Sequence, residues 1–204
     1  MSNKRPTLRA RQAQLTRDEI LGAARRLFAE QGYSRTSVRD IAEAAGVSAQ
    51  TVYDSIGSKQ AIVARLNDLI DAEADIATIV GSSIGSTDPA QILAVQAKVV
   101  RSILEHCGDI VRALVTGAAA EPDLALVLAE GHRRHVAGTH RIVGVLAGLD
   151  ALAPSVTVDA AVATLSATSD VSFAMLLADL YGWSFEEIED WIVATNRKLL
   201  LRGG

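Results

Sequence analysis

Thr36 to Lys59 reads TSVRDIAEAAGVSAQTVYDSIGSK, and this stretch decides the fold. Two short helical patterns flank Gly46-Val47-Ser48. The first opens at Ser37, with Asp40 three residues on, and buries Val38, Ile41, Ala42 and Ala45. Gly46 permits the tight corner and Val47 locks the two helices together. Ser48 then caps a helix over about 49–54, with Val52 and Ile56 as its apolar residues. This is a helix-turn-helix pattern, in which the second helix enters the DNA major groove and its first residues reach base edges. Those residues are Ser48, Ala49, Gln50 and Thr51. Glutamine pairs with adenine in bidentate fashion, threonine bonds a base or a phosphate, and alanine touches a thymine methyl. Thr36 and Ser37, at a helix amino end, form a natural phosphate seat. Arg39, Tyr53 and Lys59 add phosphate contacts that set register without reading sequence.

Upstream, Ile20, Ala24, Leu27 and Phe28 share one face of a helix that Gly32 stops. Thr16 and Glu19 read as the capping box that opens it. Residues 1–14 lack apolar periodicity and are expected as a flexible arm. Its Lys4, Arg5, Arg9 and Arg11 either follow the DNA backbone or only aid solubility. Downstream, Ser58 caps a long helix over 58–80 whose inner face is Ile62, Leu66, Leu69, Ile76 and Ile79. The loop GSSIGSTDP, 81–89, is followed by helices at about 89–107, 109–119, 122–148, 157–181 and 185–201. The expectation is an all-α protein of about nine helices. A helix-turn-helix head over 15–60 is linked through helix 58–80 to a helical bundle over 81–204.

Composition agrees. Of 204 residues 49% are hydrophobic and only 4% aromatic, which suits packed helices of Ala, Leu, Val and Ile better than a β-sandwich. Charge is uneven. Residues 1–60 hold ten basic and six acidic side chains, net +4, whereas the rest holds ten and eighteen, net −8. A basic head on an acidic body fits a DNA-contacting domain joined to one that avoids phosphate. The single cysteine, Cys107, excludes an intramolecular disulfide. With no signal peptide and no apolar run approaching ~18–20 residues, a cytoplasmic protein without a membrane segment is expected.

The block from Leu15 to Asn67 resembles the DNA-binding domain of the tetracycline-repressor (TetR) family. It matches in ILGAARRLFAEQGY, in TSVRDIAEAAGVSAQTVY and in the SK beyond them. The resemblance implies phosphate contacts from Thr36, Arg39, Tyr53 and Lys59, and base-facing roles for Ala49, Gln50 and Thr51. Two positions depart from the family pattern. Ile56 stands where an aromatic is usual, and Asp54 places a carboxylate near phosphates, where it lowers affinity unless it faces a cytosine amino group or lies beyond the groove. GWSFEEIEDWI, with Ser184 and Glu187 as a capping box, looks like the family's entry to its last helix. The resemblance further implies a homodimer on a palindromic double-stranded DNA operator, acting as a repressor released by a small-molecule effector. Leu176, Leu177 and Leu180 offer an apolar seam for the dimer or belong to the core. The body's low polarity points to an apolar effector.

Other chemistry is thinly represented. His132 and His135 share a helix face, and His106 adjoins Cys107, but no ligand set completes a metal site. The neighbouring Arg133 and Arg134 instead suggest a solvated basic strip. GSSIGS lacks the lysine and spacing of a phosphate-binding loop. No catalytic residue and no cofactor are expected. Two alternatives stand beside the DNA reading: a helix-turn-helix acting through protein partners, and a helical enzyme.

Overall fold

The structure is a computed structural model describing residues 7–203. Ten helices are found among the described residues. The first five are α1 (Leu8–Gln31), α2 (Val38–Ala44), α3 (Ala49–Ser55), α4 (Lys59–Glu73) and α5 (Ile76–Gly81). After them come α6 (Pro89–Gly117), α7 (Pro122–Gly148), α8 (Val158–Thr168), α9 (Val171–Tyr181) and α10 (Phe185–Leu200). The chain divides into two compact units. One runs up to Asp68 and takes in Ala113–Val127; the other comprises Leu69–Arg112 and Leu128–Gly204.

In the first unit α1 begins well before the expected capping box. Thr7 caps it by accepting a hydrogen bond from Ala10 N, and Thr16 lies inside the helix, where its hydroxyl donates to Gln12 O. Residues 8–14, LRARQAQ, are mostly strong helix formers, so the helix propagates through them and the expected arm is corrected there. Arg9 and Arg11 are exposed on α1; Lys4 and Arg5 fall outside the described residues. α1 ends at Gly32, whose φ of 84° suits a residue without Cβ. Ile20, Ala24, Phe28, Ile41, Val52, Ile62 and Leu66 are buried, and α1, α2 and α3 pack on one another. Ile56, next to α3, is only partly buried.

Residues 113–127 complete this unit with the α6–α7 corner. Tyr33 Oη donates to Asp123 Oδ2 at 3.1 Å, and Ser34 Oγ bonds Glu121. The corner is tight because Gly117 has no side chain: a Cβ there would meet Leu124 Cδ1 at 2.3 Å. The head is therefore assembled from two separated stretches of chain, beyond the 15–60 boundaries expected for it.

In the second unit three expected helix boundaries move. Gly108 does not break α6, because Leu93, Ala97, Val100, Leu104, Cys107, Val111 and Leu114 keep one buried stripe across it. The expected helix 58–80 does break, at Ala74-Asp75. Asp75 adopts a left-handed φ of 48°, and Ser102 Oγ donates to Ala74 O at 2.7 Å, occupying a carbonyl freed there. Ile76 and Ile79, expected inside, are only half-buried. The 157–181 helix splits at Ser169-Asp170, where Asp170 Oδ1 accepts from Ser172 N and Phe173 N as the cap of α9. That stretch is also more apolar than expected, with a mean hydropathy of 1.5 in its most apolar window, but it folds as two separate helices.

The core of this unit joins Ile92 and Leu93 of α6, Val143 and Leu146 of α7, Val162 and Leu165 of α8, and Leu200 of α10. Leu152 and Leu201, which belong to the same core, form an antiparallel bridge. Asn196, fully buried on α10, bonds Thr168 Oγ1 and donates to Ile192 O, so its amide is satisfied. The expected solvated strip on α7 is corrected in part. His135 is held between Gln96 Nε2 at 2.9 Å and Ser166 O at 3.0 Å, and His132 Nε2 lies 3.2 Å from Asp170 Oδ2. Arg133 alone is strongly exposed, and pairs with Glu130.

Candidate nucleic-acid interface

The turn between α2 and α3 is built by hydrogen bonds that the sequence dictates locally. Val47 N donates to Ala42 O and Gly46 N to Glu43 O, the pair of bonds that closes a Schellman motif. Gly46 supplies the left-handed residue it needs, at φ 67°. At the start of α2 Ser37 and Asp40 form a reciprocal capping box, with Ser37 N donating to Asp40 Oδ2 at 2.8 Å and Asp40 N to Ser37 Oγ at 3.2 Å. The amide of Ser37, then its hydroxyl, hold the Asp40 carboxyl below its ordinary pKa. At the start of α3 Ser48 Oγ accepts from Thr51 N at 3.0 Å and lies 2.8 Å from Thr51 Oγ1.

With Val52 fully buried on its inner side, α3 turns Gln50, Tyr53 and Asp54 outward. Positions i, i+3 and i+4 share one helix face, so these three side chains form a single surface. Tyr53 is 52% exposed, unusual for so large a ring. Gln50 Nε2 donates to Asp54 Oδ1 at 2.8 Å. Ser48 is exposed beside them, while Ala49 and Thr51 are half-buried at the same end. On α2, Arg39 is exposed, as is Ser37 before it. Ser37, Arg39, Ser48, Ala49, Gln50, Thr51 and Tyr53 thus lie on, or at the edge of, the two helices that carry the motif.

Thr36 and Lys59 are placed differently. Thr36 is 1% exposed; its hydroxyl donates to Gly32 O at 2.9 Å and its amide to Tyr33 O. With both donors committed inside the head, Thr36 is a structural pin, which corrects its expected phosphate contact. Lys59 reaches back across the unit. Its Nζ donates to Tyr33 O at 2.9 Å and Thr36 O at 3.1 Å, and lies 3.9 Å from the centre of the Tyr33 ring. Two of the three ammonium donors are consumed by carbonyls, and a cation–π contact adds to them. The lysine's first duty is to tie α4 to the segment between α1 and α2.

Tyr33 is the residue that motif spacing does not reveal. It is buried, packs its ring 5.3 Å from that of Phe28 at a tilt of 50°, supports Lys59 and bonds Asp123. Burial, then the Asp123 carboxylate as hydrogen-bond partner and as charge, then Glu121, raise its phenol well above the ordinary value. Nothing local in GY signals this, because the partner lies ninety positions away.

Residues 20–66 match the family model of bacterial regulatory proteins, tetR family. TtgR of Pseudomonas putida, an HTH-type transcriptional regulator, is 36% identical over 78 residues, 38% of this chain and 37% of that protein. The HTH-type transcriptional repressor KstR2 of Rhodococcus jostii is 47% identical over 47 residues, 23% of each chain. The chain thus spans well under half the length of the curated relatives it matches. Likeness of fold extends much further. NalD of Pseudomonas aeruginosa, the secondary repressor of the MexAB-OprM multidrug efflux pump, superposes with a TM-score of 0.73 at 22% identity. That match covers 95% of this chain and all of the other. SmeT in its triclosan complex superposes with a TM-score of 0.75 at 17% identity, covering 93% of each.

An all-helical protein with a capped helix-turn-helix is the class that fold and site define. Residues 20–66 are similar to the DNA-binding domain of the tetR family of bacterial regulatory proteins.

Proposed function

We propose that the protein is a cytoplasmic, dimeric transcriptional repressor that grips a palindromic DNA operator and releases it when a small molecule binds its helical body. The outward face of α3, with Gln50, Tyr53 and Asp54 free of the core and Arg39 exposed on α2, carries this reading. α3 is the major-groove helix, with Ser48, Ala49, Gln50 and Thr51 at its leading end toward base edges. Ser37, Arg39 and Tyr53 set its register on phosphates. It acts by binding, with no chemical step of its own.

Dimerisation is supported by α9, where Leu176 and Leu180 are 48% and 66% exposed with Phe173 on the same side. Leu177, the third residue of the expected seam, is buried within its own chain. Two heads held about one DNA turn apart read a palindrome. The effector acts by differential affinity for the DNA-competent and incompetent states, a two-state equilibrium. SmeT in its triclosan complex supports a small-molecule effector, and the apolar core of the second unit suits an apolar one.

Selection from a randomised palindromic duplex library, with gel shifts across a salt series on the selected duplexes, tests the reading. One enriched operator is expected, with an affinity that falls steeply with salt. Absence of any salt-sensitive, sequence-selective binding would overturn it.

A further inference from the structure

The Gln50–Asp54 pair holds information beyond the presence of a DNA-reading helix, though its meaning depends on α3 being that helix. An ionised carboxylate only accepts hydrogen bonds, so the group 2.8 Å from Asp54 Oδ1 must be the amide nitrogen of Gln50. The reversed amide would set two oxygens against each other. One orientation is therefore imposed: Oε1 and the second N–H of Gln50 remain for a partner. That pair is the complement of adenine, whose N6 donates and N7 accepts. Asp54 retains Oδ2, an acceptor on an exposed side chain, one helical turn further along.

We propose that Asp54 is a specificity-determining residue, which presets the Gln50 amide for adenine and itself selects a base with an exocyclic amino group. Cytosine N4 and adenine N6 donate to such an acceptor, whereas thymine O4 and guanine O6 and N7 present lone pairs against the carboxylate. The two read bases lie within a few steps of each other, since one helix turn spans about 5.4 Å and one base step about 3.4 Å. The same negative charge opposes nearby phosphates, so Asp54 weakens binding to DNA in general while it sharpens choice among sequences. This turns the departure from the family pattern at residue 54 into a reading element.

The test compares the wild type with Asp54→Ala, Asp54→Asn and Gln50→Ala by selection from the same randomised palindromic library and by titration of single-base operator variants. Melting curves establish that each variant is folded, which the exposure of both residues leads one to expect. The wild type is expected to enrich an adenine and, close by, a second amino-bearing base in each half-site. Asp54→Ala is expected to lower discrimination at the second position from about tenfold or more to about twofold. It also tightens binding to non-cognate duplex. Asp54→Asn, which donates as well as accepts, is expected to admit guanine or thymine there. Gln50→Ala is expected to lose the preference for adenine. An Asp54→Ala selection indistinguishable from wild type would overturn the proposal and leave the DNA-binding reading intact. Failure of the wild type to select any sequence would overturn both.

Discussion

Tyr33 and Asp123, ninety residues apart, share a hydrogen bond of 3.1 Å between a buried phenol and a carboxylate. It fastens the end of α1 to the first turn of α7. Tyr33→Phe deletes the donor and keeps the ring on Phe28 and under Lys59. The expected loss is about 1–2 kcal/mol in urea denaturation, since the acceptor is charged. An unchanged midpoint would show that the bond contributes nothing. The phenol also dictates a pH dependence. Its folded pKa is raised above the unfolded value, so its contribution is complete below pH ~10 and declines as pH rises beyond that. Tyr33→Phe should therefore flatten the alkaline loss of stability that the wild type shows.

Lys59→Met keeps the length and apolar stem of the side chain but removes both carbonyl hydrogen bonds and the cation–π contact. The head should lose roughly 2 kcal/mol, a central figure for hydrogen bonds to a charged group. Lys59→Arg should recover only part of it, because a planar guanidinium replaces a compact ammonium over the ring. Thermal melts of the three proteins check this. Equal melting temperatures would return Lys59 to a role on phosphate alone.

Ser48→Ala removes the acceptor for Thr51 N at the start of α3. Loss of such a cap costs about 1 kcal/mol. Because α3 has only seven residues, its first turn should fray as well. Hydrogen exchange at Thr51 and Val52, whose amides bond Ser48, should accelerate while Ile41, in α2, keeps its protection. Equal acceleration in both helices would show that the cap acts only on global stability.

Leu180→Asp places a charge at the most exposed apolar position of α9. Light scattering should report a monomer where the wild type reports a dimer, with the melting temperature of the isolated chain little changed. A persistent dimer would move the interface elsewhere.

Legibility in the sequence tracks the range of the physical signal. The corner at Gly46 and the caps at Ser37 and Ser48 act over three to five residues, so the letters alone place α2 and α3. Local signals also mislead. Thr16 and Glu19 have capping-box spacing, yet the hydroxyl of Thr16 bonds one turn back because the preceding residues already favour helix. Gly108 has the look of a stop, but an unbroken apolar stripe on both sides outweighs the ~1 kcal/mol that glycine costs inside a helix. Asp75 has no breaker signature; its left-handed turn depends on Ser102, twenty-eight residues from Ala74, meeting the carbonyl of that alanine. Asp170 is a residue type that caps helices, and the continuous hydrophobicity around it conceals the fact. Within the site, residue type alone assigns Thr36 and Lys59 to phosphate. Only the folded chain brings Gly32, Tyr33 and Lys59 to the same place.

The participation of Ala113–Val127 in the head has a consequence for how the protein is made and rebuilt. A ribosome that has released residues 1–68 has supplied the whole helix-turn-helix but not Asp123 and Glu121, which bond Tyr33 and Ser34. The head stays unfinished until more than half of the chain has emerged. For the same reason, a chimera that transplants the N-terminal segment onto a foreign body would leave a buried phenol facing a stranger's corner. Grafts carrying both segments should fold, and those cut at residue 68 should inherit the weaker head.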